Sequence, residues 1–148
     1  MNQKWRGLSN VLHVMDKIHQ HIEERQVLRG DLFMCNLPCE SGSIQANYRP
    51  VIILQNNIGN HFATTTIIAP LSKKGKQLPT QVRLEKGVGG LLCTSYILCE
   101  QIRTINQSWL DKYIGTIDVN SQFFNSIFEA VMISLGFNLK CKTDSIKI

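Results

Sequence analysis

At 148 residues the chain suits one compact domain with a proper core and is short for two. A hydrophobic share of 43% beside 18% charged residues excludes disordered and fibrous classes, and no apolar run approaches the ~20 residues that cross a bilayer. The formal net charge of +5 admits a polyanionic partner, nucleic acid or acidic protein, as readily as it serves mere solubility.

From about residue 8 to residue 27, Leu8, Val11, Leu12, Met15, Ile18 and Ile22 recur at three- and four-residue steps. That period predicts an amphipathic helix, with Ser9 or Asn10 as its cap and an end near Gly30. The basic start Met1–Arg6 is not followed by an uninterrupted apolar core, because His13, Asp16, Lys17 and His19 intervene. No secretory signal is therefore expected, and the cytoplasm is the expected location.

After Gly30 the pattern is that of strands. Asp31–Leu37 reads as the first, residues 42–48 as a polar loop, and the β-branched run 50–55 as a buried strand. Residues 57–60 read as a turn, 64–71 as a strand, and 72–77 as a basic loop. Val82 and Leu84 alternate with polar neighbours over 80–85, the period of a half-buried strand. Gly87, Gly89 and Gly90 loosen the next connection, and 95–105 reads as one further strand. Short helices are expected at 107–113 and, longer, at 120–136, where Phe124, Ile127, Phe128, Val131 and Leu135 form the apolar stripe. Closely spaced short strands suggest a small barrel rather than an α/β sheet. The expected organisation is a helical extension (1–28), a barrel domain (29–138) and a polar tail (139–148).

The five cysteines (Cys35, Cys39, Cys93, Cys99, Cys141) form no CxxC pair, so no structural zinc is expected and reduced thiols pack as small hydrophobes. His19 and His21, two apart on an expected helix, point in different directions and make no acid–base pair. His13 reads as a packing residue, which leaves His61 as the histidine worth testing.

Several stretches, in this order and near-constant spacing, resemble the MazF/PemK toxins. They are Arg29-Gly30-Asp31-Leu32, Gly42-Ser43-Ile44-Gln45, Arg49-Pro50-Val51-Ile52-Ile53-Leu54-Gln55-Asn56, Ile58-Gly59-Asn60, Leu78-Pro79-Thr80, Glu100-Gln101-Ile102-Arg103-Thr104-Ile105 and Ile133-Ser134-Leu135. The resemblance covers about residues 29 to 135. It implies a mainly β (α+β) fold, an SH3-like small β-barrel of the CcdB/PemK kind with a C-terminal helix. It also implies a homodimer, inhibited by a small antitoxin protein, that cleaves single-stranded RNA (messenger RNA above all) with no cofactor and no metal.

Metal-free RNA cleavage uses the neighbouring 2′-OH as nucleophile, so the protein must stabilise charge on the phosphate and support the leaving 5′-oxygen. Arg49 suits both tasks, since a planar guanidinium binds two phosphate oxygens and stays charged. Ser72 stands where the resemblance places a catalytic threonine, and its hydroxyl can hydrogen-bond the scissile phosphate. Otherwise it makes a local turn bond. Ser43 and Gln45 are candidate base or sugar readers, and Leu78, Gln101 and His61 are further candidate contacts. Glu100 accepts from a base amino group or pairs with Arg103. Lys73, Lys74 and Lys76 form a basic loop beside Ser72 that attracts phosphate.

The chain departs from the family pattern at Ile44, where an acidic residue is usual, at Ala46-Asn47, at Ser72 and at Leu92-Cys93-Thr94. These departures keep a second reading open, a weakened relative that binds RNA or antitoxin without cutting. A gyrase-targeting toxin on a related barrel is a third.

Overall fold

The computed structural model describes residues 11–14 and 25–137. Seven strands form its framework: β1 (Asp31–Leu37), β2 (Asn47–Ile53), β3 (Thr65–Ser72), β4 (Gln81–Leu84), β5 (Ser95–Leu98), β6 (Arg103–Asn106) and β7 (Leu110–Thr116). Two α-helices, α1 (Asn57–Phe62) and α2 (Gln122–Ser134), complete the fold with three single-turn 3-10 helices: η1 (Val88–Gly90), η2 (Cys99–Gln101) and η3 (Gln107–Trp109).

Every strand pairing is antiparallel. The main sheet runs β6-β3-β2-β1-β7, and the hairpin β4-β5 joins the end of β3 through Leu71↔Ile97 and Ser72↔Tyr96. Successive strand residues point to opposite faces, and both faces of the central strands are buried here. Leu32, Ile52, Ala69 and Leu71 pack with Leu84, Ile97 and, from α2, Phe124, Ile127 and Ala130. Phe33, Cys35, Val51, Ile53, Ile68 and Ile105 fill a second core, edged by Val27, Leu110 and Tyr113. Burial on both sides is why Val51-Ile52-Ile53 reads as a continuous apolar run.

The expected barrel is a curled sheet that does not close. β6 and β7 end the main sheet and are joined by η3 without pairing to each other. The β4-side connection instead meets β7 by backbone contact. A Cβ on Gly115 would lie 2.4 Å from the Gly89 carbonyl oxygen, an approach that only glycine allows.

Three elements differ from expectation. Residues 57–60 belong to α1, a six-residue helix whose first turn is capped by Asn56, the Oδ1 accepting from Gly59 N at 2.8 Å. The run 95–105 is two strands, β5 and β6, separated by η2. Residues 107–113 are not an α-helix but η3 followed by β7. Register shifts in the β1–β7 ladder set Phe33 against Tyr113 and Cys35 against Leu110. Two residues of β1 therefore face a three-residue step of β7. The bulge brings Leu110 and Tyr113, three apart, onto one core, which mimics helical spacing.

α2 begins where expected, with Ser121 Oγ accepting from Phe124 N at 3.2 Å. Its stripe is narrower than expected, because Phe128 (51%) and Leu135 (59%) are exposed. Of the residues expected in an N-terminal helix, 11–14 are helical and 25–27 have no regular structure; the others lie outside the described residues. Leu8, Met15, Ile18, Ile22 and the tail 140–148 lie outside the described residues. Among the described residues no helix is long and apolar enough to cross a membrane.

Candidate active site

The site is built where β2 begins and β3 ends. Asn47 enters β2 with φ +70, a left-handed conformation that asparagine tolerates better than most residues. The loop before it is clamped from η2 and β6. Gln101 Oε1 accepts from Gln45 N at 2.8 Å, Gln101 Nε2 donates to Ser43 O at 3.3 Å, and Arg103 Nη2 donates to Gln45 O at 3.3 Å. Both backbone polar groups of Gln45 are thus fixed, and its side-chain Oε1 accepts from Arg49 Nη1.

Arg49 is held on three sides. Its Nε donates to Ala46 O, and Nη1 reaches Gln45 Oε1 and also Leu71 O at 3.4 Å. Among the described residues no acceptor engages Nη2, which leaves that end of the fork to an anion. Burial, and then repulsion from Arg103, lower the Arg49 pKa from its ordinary value. It remains a cation, but a less weak acid than a free arginine. The Nε of Arg103 is itself buried without a hydrogen-bond partner among the described residues.

Ser72 follows the carbonyl that Arg49 touches. Its Oγ accepts from Lys74 N at 3.2 Å, the local turn bond, which leaves the hydroxyl proton free to donate. Arg49, Ser72, Lys73 and Lys74 line one groove of about 650 Å³. Met34, Pro50, Leu71 and Leu91 give it an apolar floor, and Tyr48 and Lys112 add an aromatic ring and another cation.

The remaining sequence candidates lie elsewhere. Ser43, Gln45 and Gln101 form the clamp behind Arg49. Glu100 does not pair with Arg103; its Oε1 accepts from Gln81 Nε2 at 2.6 Å, and Gln81 Oε1 accepts from Lys76 N at 2.7 Å. Lys76 and Leu78 are exposed but do not line the groove. His61 sits on α1, before the start of β3, with its Nδ1 3.4 Å from Gln26 Nε2. Ser72 ends the same eight-residue strand. At ~3.3 Å per residue the two ends are roughly 23 Å apart, too far for one phosphate.

Tyr48 and Lys112 were not anticipated. Lys112 was hidden by the helical reading of 107–113; as a strand, Lys112 and Ile114 share a face and both line the groove. Tyr48 directly precedes the Arg49-Pro50 motif, outside the stretches that carry the resemblance, so no sequence signal marks it.

A family model described as PemK-like, MazF-like toxin of type II toxin-antitoxin system matches residues 28–135. The chain is 39% identical over 113 residues to Endoribonuclease EndoA of Bacillus subtilis (strain 168), a match spanning 74% of this chain and 95% of that protein. Among solved structures it is similar to MazF from Deinococcus radiodurans, with TM-score 0.66 and 17% identity over 77% of this chain and all of that one. An endoribonuclease in complex with its cognate antitoxin from Mycobacterial species gives TM-score 0.62 at 24% identity, over 76% of this chain and 97% of that one. At such identities the structural likenesses establish the shared fold; the family model and the curated relative establish more. The chain belongs to the PemK-like, MazF-like toxins of type II toxin-antitoxin systems.

Proposed function

We propose that this toxin is an endoribonuclease that cuts single-stranded RNA at preferred short sequences without a metal ion, with Arg49 and Ser72 on the scissile phosphate. One observation carries the reading: Arg49, whose Nη2 is unengaged among the described residues, and Ser72, whose hydroxyl can still donate, line one groove and meet at Leu71 O. The substrate 2′-hydroxyl loses its proton to water as its oxygen bonds to phosphorus, the P–O5′ bond breaks, O5′ takes up a proton from water, and the products carry a 2′,3′-cyclic phosphate and a 5′-hydroxyl. Arg49 stabilises the extra charge on the phosphoryl oxygens and the developing charge on O5′, while Ser72 donates to a non-bridging oxygen. Lys73, Lys74 and Lys112 draw the backbone in. The apolar floor suits unstacked bases, which a duplex does not expose.

Residues 29–138 form the catalytic body, acting in the cytoplasm as a homodimer restrained by a small antitoxin protein. Exposed Phe123 and Phe128 on α2 and Leu135 at its C-cap support an apolar contact with a partner chain. Purified protein incubated with a long unstructured RNA in chelator tests the activity. Cleavage lost in Arg49→Ala is the expected result. Tight binding without cleavage by the wild-type chain refutes it and favours the non-cutting relative, for which the exposed Ile44 is the motivating departure.

A further inference from the structure

We infer that Tyr48 is a stacking platform for an unpaired RNA base next to the phosphate that Arg49 holds. The inference rests on the ribonuclease reading and adds a base-binding residue to it. Tyr48 directly precedes Arg49 on β2, lines the same groove and is 52% exposed. Its hydroxyl donates to Asp111 Oδ2 at 2.7 Å. Asp111 belongs to β7, so the bond reaches from β2 across the intervening β1. The ring is therefore anchored at its tip as well as at its root. The aromatic pairs among the described residues are Phe33–Tyr113 and His61–Phe62, so no other ring stacks on Tyr48.

A ring that is anchored, half-exposed and free of aromatic neighbours offers a π-face with little ordering left to lose on binding. Donation to the Asp111 carboxylate raises the phenol pKa, which keeps the ring neutral. Met34 and Pro50, which stand cross-strand from each other beside it, supply apolar surface along a base edge. Lys112, which lines the same groove, suits the next phosphate. Alternating phosphate and base contacts along one groove match the repeat of a single strand.

The test is fluorescence anisotropy with a short unstructured RNA whose 2′-hydroxyls are methylated, so that it binds without being cut. Tyr48→Leu should weaken binding by roughly tenfold to a hundredfold, the range for one lost base–aromatic stack, with the salt dependence unchanged. Tyr48→Phe and Tyr48→Trp keep a π-face and should retain most of the binding, losing only what the Asp111 anchor adds by holding the ring. Wild-type affinity in Tyr48→Leu overturns the inference. So does a loss in Tyr48→Phe as large as that in Tyr48→Leu, because the Asp111 link rather than the ring would then matter. Should Tyr48→Leu fail to fold, Tyr48→Trp decides, since a large loss there also sinks stacking. Wild-type protein that neither binds nor cuts RNA would instead defeat the ribonuclease reading. Cutting that is indifferent to Tyr48 defeats only the platform.

Discussion

Arg49→Lys preserves the charge and removes the fork, which makes it a sharper perturbation than alanine. Arg49 uses Nε on Ala46 O and Nη1 on Gln45 Oε1 and Leu71 O, with Nη2 left for substrate. A lysine has one Nζ, which cannot stay on the clamp and reach the phosphate together. Losing two of the three protein contacts at about 0.5–1.5 kcal/mol each lowers stability by about 1–3 kcal/mol. The melting temperature should then fall by roughly 2–4 °C per kcal/mol for a chain of this size. The cut itself should suffer more. A preorganised donor removed from the reacting oxygens typically slows turnover by about 10²–10³-fold. Single-turnover cleavage of an end-labelled RNA in chelator, beside a thermal melt, reads both quantities. Retention of more than about a tenth of the wild-type rate would refute the fork as the source of phosphate stabilisation.

Ser72→Ala should slow cleavage about tenfold to a hundredfold, as for a lost hydrogen bond to a charged group, while Ser72→Thr restores the rate. Wild-type speed in Ser72→Ala would leave Oγ only its turn bond to Lys74. Gly115→Ala should destabilise by about 1–3 kcal/mol in urea unfolding, because its Cβ meets the Gly89 carbonyl at 2.4 Å. Burial pushes the Cys35 thiol up to about 11 and that of Cys99, with help from Glu100, up to about 12. The folded chain keeps these protons while the unfolded chain, with thiols near 9.0, begins to lose them. Stability from this source is full below pH 9 and falls as pH rises toward the folded values, so the urea midpoint should drop across that window. Among the described cysteines, alkylation of the native protein followed by peptide mapping should find Cys39 and Cys93 modified before Cys35 and Cys99.

Chain-local signals were legible in the sequence. β-branched runs and period-two alternation located β2 to β4 to within a few residues, because strand propensity and burial act over neighbouring positions. The ordered motifs carried the family, and Arg49-Pro50 pointed to where the candidate site is proposed. Tertiary structure decided the rest, wherever a side chain's meaning depends on a partner far along the chain. Strand register set Gln101 and Arg103 behind Gln45, 56 and 58 residues away, and gave Glu100 to Gln81 instead of Arg103. The β1–β7 bulge gave Leu110 and Tyr113 helical spacing on a strand and so concealed Lys112 in the groove wall. The run of β3 separates Ser72, at its far end, from the helix before it that carries His61. Propensity and periodicity describe which way a residue faces along its own segment. Only the pairing of segments, fixed by backbone hydrogen bonds and two shared cores, determines what it faces.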